Sequence, residues 1–234
     1  MEKLAKITKR HGILLIVDNT FLSPYLMNPL KLGADIVVHS GTKYIGGHND
    51  TLAGFIVTSS QEIAGKLRFL LKTTGAALAP FDSWLILRGL QTLGVRMDRA
   101  QENAGILVEY LLQQPHVTKV LYPGIPSHPG YEIITRQSRG YGAMISFEVD
   151  SAELAQALLE KIKLIQFAES LGGTETLMTY PITQTHADVP EEQRVENGIT
   201  DCLLRLSVGI ENGEDLLEDL KQAFDSCNAG LTIN

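Results

Sequence analysis

The 234-residue sequence is 44% hydrophobic and 20% charged, an ordinary globular balance in a chain long enough to bury a large core as one domain or two. Its net charge of −7 is uneven: residues 1–110 carry 12 basic and 9 acidic side chains, residues 111–234 carry 8 and 18. That excess argues against nucleic acid as a partner and reads as solvated helix faces such as EEQRVE and EDLLEDL.

No apolar run approaches the ~20 residues of a membrane helix. The N-terminal MEKLAKITKRHG lacks the apolar segment of a secretory signal. It reads as the end of a helix feeding into a strand. Cys202, Cys227 and the six histidines show no metal-ligand spacing. The expectation is a cytoplasmic chain with reduced thiols, no metal and no membrane partner.

Residues 13–17 (ILLIV) run into Asp18-Asn19-Thr20, and residues 35–39 (DIVVH) into Ser40-Gly41-Thr42-Lys43. Continuous apolarity predicts strands buried on both faces, as in a parallel sheet. Residues 19–34 are long enough for a crossover between them. Residues 53–57 (AGFIV) predict a third strand. Helical patterns follow at 61–74 and 82–113, the second with Trp84 as a core residue and Pro115 as its stop. Strand-like segments at 117–121, 143–149, 163–167 and 203–208 then alternate with helical ones at 151–162, 190–196 and 213–226, around the turn-rich YPGIPSHPG at 122–130.

The pattern is α/β, with a domain boundary near Pro115: residues 1–114 and residues 115–234. A three-stranded parallel sheet built from residues 13–57 cannot cover both its faces. The first domain is therefore expected to be incomplete, with an exposed apolar edge and face.

Ligands of open α/β sheets bind beyond the carboxyl ends of the strands. Two neighbouring strand ends here carry polar chemistry: Asp18 on one, Ser40, Thr42 and Lys43 on the next. Adjacent strands lie ~4.8 Å apart, close enough for one small ring to span. Each residue alone has an ordinary reading: a solvated lysine, a turn-forming aspartate, a hydroxyl-bearing loop. Spacing by itself does not name a ligand.

The motifs do. VDNTF (17–21), ADIVVHSGTKYIGGHNDTLAG (34–54), FDSWLILRGLQTLGVRM (81–97), AESLGGTETL (168–177), QTHADVPEEQR (184–194) and LLRLSVGIEN (203–212) resemble the Cys/Met-metabolism family of pyridoxal 5'-phosphate (PLP) enzymes over nearly the whole chain. The resemblance implies the aspartate aminotransferase-like fold (fold type I). It implies an incomplete large domain over residues 1–114 and a small α/β domain over residues 115–234. It implies transsulfuration chemistry, elimination or replacement at the β or γ carbon of an amino acid, in a homo-oligomer built as a dimer of dimers.

By position, Lys43 is implied as the amine that carries the cofactor and then moves protons, and Asp18 as the partner of the ring nitrogen. Ser40 and Thr42 are implied as phosphate ligands. Arg205 is implied to grip the substrate α-carboxylate, Ser170 to line the catalytic site, and Thr185 to line it as well. Glu169 and the GGTETL stretch favour cystathionine γ-synthase or another O-acylhomoserine-using enzyme. Glu169 then reads either as a contact to an amino group of substrate or co-substrate or as an ordinary exposed acid. Cystathionine β- or γ-lyase is the alternative, and the substrates in question are cystathionine, cysteine and O-acylhomoserine. His48, Asp50 and His186 read as structural, and Gly46-Gly47 as a tight turn. Members of the family carry a long stretch before VDNTF that supplies further cofactor contacts. Without it, weak PLP binding and an incomplete catalytic site are expected.

Overall fold

The strand that ILLIVD predicts is shorter than its apolar run: only β1 (Ile16–Asp18) pairs, after a helix α1 (Glu2–Arg10). The computed structural model describes residues 1–231, with side chains through Cys227. It divides into two units, residues 1–95 with 132–141, and residues 96–131 with the chain from 142 on.

In the first unit β1 runs parallel to β2 (Ile36–Ser40), with Asp18 opposite Val38. Between them lie a short helix α2 (Ser23–Leu26) and a 3₁₀ turn at Pro29–Leu32. β3 (Gly54–Val57) closes the sheet in the order β1-β2-β3. β3 is antiparallel to β2, with Gly54 opposite Ser40. This corrects the expected all-parallel sheet. A parallel return needs a crossover of a dozen or more residues, usually a helix. The 13 residues between Ser40 and Gly54 are instead spent on the turn that carries Lys43.

The expected open apolar surface is present. Ile13, Leu14, Ile16 and Ile56 are each more than half exposed. Helix α3 (Gln61–Thr74) has no buried residue although it carries Phe69, Leu70 and Leu71.

The long helix predicted over 82–113 is two helices, α4 (Pro80–Gln91) and α5 (Leu93–Leu111). Thr92 separates them: its N–H and its hydroxyl both turn back to the Gly89 carbonyl, each at 3.2 Å. A hydroxyl that bonds the preceding turn competes with helix propagation. Trp84 is not a core residue. α4 buries Ile86 and Gly89, and Trp84 lies on another side of it, 50% exposed, with the Arg88 guanidinium 5.1 Å over its ring. A further helix, α6 (Tyr131–Gln137), follows the turn-rich stretch 122–130, in a segment for which no element is expected from sequence. From Glu132 this helix and the residues after it, through Tyr141, belong to the first unit, where Arg139 N–H donates to Leu26 O at 2.8 Å.

The second unit holds a five-stranded sheet in the order β4-β5-β8-β7-β6. Its strands are β4 (Val117–Leu121), β5 (Met144–Val149), β6 (Gln166–Phe167), β7 (Leu177–Thr179) and β8 (Leu203–Ser207). Ile145, Phe147, Leu204 and Leu206 are fully buried on the central pair. Helices α7 (Ala152–Lys161) and α9 (Gly213–Leu231) pack together, with Leu154 and Leu158 of the first and Leu216 and Leu220 of the second buried, and a short α8 (Glu191–Glu196) remains on the surface.

α5 belongs to this unit from Arg96 on, which sets the division some 20 residues before Pro115. Tyr110 meets the Phe224 ring at 6.2 Å, and the buried Asn103 donates to the carbonyls of Gly209 and Glu211 at 3.1 and 2.9 Å. Those bonds satisfy the amide hydrogens of a side chain inside the core. Among the described residues no helix is long and apolar enough to cross a membrane.

Candidate functional site

The polar strand ends of the first unit are tied to one another. Thr20 N–H donates to Asp18 Oδ1 at 2.9 Å, and Ser40 N–H donates to the Thr20 hydroxyl at 2.8 Å. Thr20 thus bridges the end of β1 to the end of β2. The buried Asn19 side chain donates to the carbonyls of Ser23 and Met27, each at 3.0 Å, and so fixes the loop that leaves β1. Asp18 itself stays exposed.

Lys43 lies in a single wide helical turn, Gly41–Ile45, closed by Gly46 N–H to Gly41 O at 2.9 Å. That is an i→i+5 bond, the kind found in π-bulges at functional sites. Lys43 departs from helical geometry inside it, at φ −92° and ψ −131°, and is half-buried. The amides of Gly41 and Thr42 both donate to Ala53 O, and the Thr42 hydroxyl accepts Ala53 N–H at 3.1 Å. Gly41 is required at the close approach to β3, since a Cβ there would lie 2.6 Å from the Phe55 ring. α4 presses on the same turn from the other direction through Gly89.

His39, one residue before Ser40, is 5% exposed. Burial pushes its imidazole below the ordinary value near 6.5, opposed by a bond to the Asn19 backbone and by the Asp18 charge. Unfolded, the ring takes its proton near 6.5; folded, it does so at lower pH. Between those two values the unfolded chain binds the extra proton, so stability falls as the pH drops below about 6.5 toward the folded value. Above about 6.5 the ring is neutral in both states and has no effect. We expect the urea midpoint of the protein to drop from pH 7.5 to pH 5.5, and His39→Leu to flatten that drop. An equal drop in the variant would assign it to other groups.

The second unit gathers the remaining candidates. Arg205 in β8 faces Thr179 across the β7 pairing. Arg205 Nη2 donates to the Thr179 hydroxyl at 3.2 Å and to Ser170 O at 3.3 Å. Ser170 stands at φ +90°, a left-handed conformation that costs a non-glycine residue about 1–3 kcal/mol. Gly172 N–H donates to the buried Ser207 hydroxyl at 2.8 Å and pins the SLGG loop to β8. Glu169 is exposed beside Ser170 in the chain. Thr185 is exposed, with its hydroxyl against His186 Nδ1 at 2.9 Å.

Arg205 and Ser170 are therefore joined directly, and Asp18 and Ser40 through Thr20. Thr20 and Thr179 were missed from sequence, although both hydroxyls hold candidate residues. Thr20 sits inside the VDNTF motif, which was a signal. Thr179 becomes visible only once β7 is placed beside β8.

The donor set of the first unit fits pyridoxal 5'-phosphate. A carboxylate that can face a pyridinium nitrogen ends one strand. Two hydroxyls and a lysine amine follow the end of the neighbouring one, in a turn whose backbone is already satisfied by Ala53.

Comparison with known proteins agrees. Residues 1–225 match the family model of Cys/Met metabolism PLP-dependent enzymes. The chain is 50% identical over 223 residues to the cystathionine gamma-lyase of Bacillus subtilis (strain 168), covering 95% of this chain and 59% of that protein. It is 52% identical over 222 residues to the cystathionine gamma-synthase of Haemophilus influenzae, covering 95% and 56%. Among solved structures it superposes on cystathionine gamma synthase from Xanthomonas oryzae pv. oryzae, in complex with aminoacrylate and cysteine, with a TM-score of 0.95 at 43% identity, covering 97% of this chain and 59% of that one. Cystathionine gamma-lyase from Lactobacillus plantarum, complexed with L-serine, gives 0.94 at 44%, covering 96% and 59%. The chain thus spans about three-fifths of the length of the curated relatives it matches. With its match running through nearly every residue and its fold shared with these enzymes, the chain belongs to the Cys/Met metabolism PLP-dependent enzyme family.

Proposed function

We propose that this chain serves a transsulfuration enzyme that uses pyridoxal 5'-phosphate to replace the γ-substituent of an O-acylhomoserine with the thiol of cysteine, the reaction of a cystathionine γ-synthase. The observation that carries the pyridoxal-phosphate reading is the placement of Asp18 and a lysine-bearing turn at the carboxyl ends of two adjacent parallel strands; the γ-synthase branch within it rests on Glu169 and the GGTETL stretch. The bound cofactor supplies an electron sink for the charge left when a proton leaves Cα.

The chain's own residues do the rest. Asp18 keeps the ring nitrogen protonated. Lys43 Nζ would hold the cofactor and, as a free amine, would be the base that takes protons from the substrate Cα and Cβ. Ser40 and Thr42 take the phosphate. Arg205 takes the substrate carboxylate, a task that suits its planar fork. Ser170 lines the catalytic site, and Thr185 lines it as well. Glu169, acidic and exposed, takes the amino group of cysteine or of the substrate. The exposed apolar surface of α3 and of the first sheet favours association into a homo-oligomer, read as a dimer of dimers. The free thiols Cys202 and Cys227 suit a cytoplasmic setting.

Steady-state assays test the reading. Turnover with O-acetylhomoserine plus cysteine should exceed turnover with cystathionine alone. Preferential cleavage of cystathionine would make the protein a lyase and remove the γ-synthase assignment.

A further inference from the structure

β7 is three residues long and wholly buried, and Thr179 is its one hydroxyl beside Arg205. At 1% exposure that hydroxyl is closed off from bulk water and needs partners in the interior. It has two of fixed polarity. Ala168 O can only accept, so Thr179 donates to it, at 2.9 Å. Arg205 can only donate, so the Thr179 oxygen accepts from Nη2, at 3.2 Å. The second hydrogen of Nη2 goes to Ser170 O at 3.3 Å. Both hydrogens of one guanidinium nitrogen therefore have protein acceptors, one a side chain and one the carbonyl of the strained Ser170. A planar guanidinium held at one nitrogen has its plane fixed, which leaves Nη1 as the nitrogen that meets a carboxylate in that plane.

We propose that Thr179 is a positioning residue for Arg205: its hydroxyl fixes the guanidinium plane with which Arg205 meets the substrate carboxylate. The inference rests on the carboxylate-binding role assigned to Arg205 above. Thr179 does not touch substrate. It acts through Arg205, so its loss should weaken substrate binding and spare the chemical step. Replacing it by valine, of nearly the same shape, leaves Ala168 O without its donor and Nη2 without one acceptor. Serine keeps both bonds.

Two measurements on Thr179→Val and Thr179→Ser decide the matter. The first is NMR of the guanidinium protons of Arg205 in the whole chain, which requires neither cofactor nor turnover. In the wild type, hindered rotation should keep the two Nη2 protons distinct. Thr179→Val should average them, and Thr179→Ser should keep them distinct. Identical signals in wild type and Thr179→Val would overturn the inference. The second is the kinetics of the PLP-loaded protein. Thr179→Val should raise KM for the amino-acid substrate about tenfold with kcat nearly unchanged, and Thr179→Ser should restore KM to within about twofold. A loss of kcat with KM unchanged would show a role in the fold alone and would also overturn it. Absence of turnover in every form, wild type included, would count against the proposed function, and the NMR result would still decide the role of Thr179.

Discussion

Replacing Lys43 by alanine should abolish site-specific capture of pyridoxal phosphate and lower kcat about 10⁴-fold or more. Two functions are lost at once. General acid–base catalysis by a positioned group contributes about 10²–10⁴-fold. The amine is also the covalent attachment point, and no other lysine stands in the turn at the strand ends. Lys43→Arg separates these from simple charge, because it keeps the cation yet is neither a nucleophile nor a base near neutral pH. It should fail as completely as alanine. Borohydride reduction after incubation with the cofactor, followed by peptide mapping, provides the check. The wild-type label should concentrate on Lys43 and vanish in both variants. Label spread instead over exposed lysines such as Lys66, with no preference for Lys43, would remove the assignment of the site.

β1 and β2 were legible as strands because both are written as unbroken apolar runs, ILLIV and DIVVH, although β1 is largely exposed where its run predicts burial on both faces. The direction of β3 was not legible. AGFIV looks the same in either direction, and the answer lay in the preceding segment, whose residues close a turn around Lys43 instead of crossing over. The break at Thr92 was hidden for a similar reason. The apolar spacing runs on from α4 to α5, and only the return of the Thr92 hydroxyl and amide to Gly89 O separates them.

The candidate site divides along the same line. Asp18, Ser40, Thr42 and Lys43 sit at strand ends that the apolar pattern locates, although only the motifs named their chemistry. Arg205 looks like any charged residue on a strand until β7 is placed beside it. β7 itself, three buried residues with no alternation, carries no pattern to read. The left-handed backbone of Ser170 and the acceptor role of Thr179 depend on contacts between segments distant in sequence, which no local propensity encodes.

Gly89 shows how such a contact outweighs a local preference. Alanine is favoured over glycine in a helix interior by about 1 kcal/mol, so Gly→Ala within a helix should stabilise where space allows. In α3, a Cβ at Gly65 would meet nothing within 4 Å, and Gly65→Ala should raise stability by about 0.5–1 kcal/mol. In α4, a Cβ at Gly89 would sit 2.3 Å from Gly46 O and 2.7 Å from Ile45 O. Those are backbone atoms that cannot swing aside as a flexible side chain could. They belong to the end of the Lys43 turn, which is fixed by Gly46 N–H to Gly41 O, while Thr51 bonds Asp82 of α4 at 2.6 Å. Helix and turn must therefore separate, and overpacking of this kind typically costs about 1–3 kcal/mol. Set against the propensity gain, the net expectation is a loss of up to about 2 kcal/mol in urea unfolding, together with weaker capture of pyridoxal phosphate at Lys43. The two variants make the same chemical change in helices of one unit and should shift stability in opposite directions. If Gly89→Ala stabilised the chain as Gly65→Ala does, α4 would not be the element that holds the Lys43 turn in place.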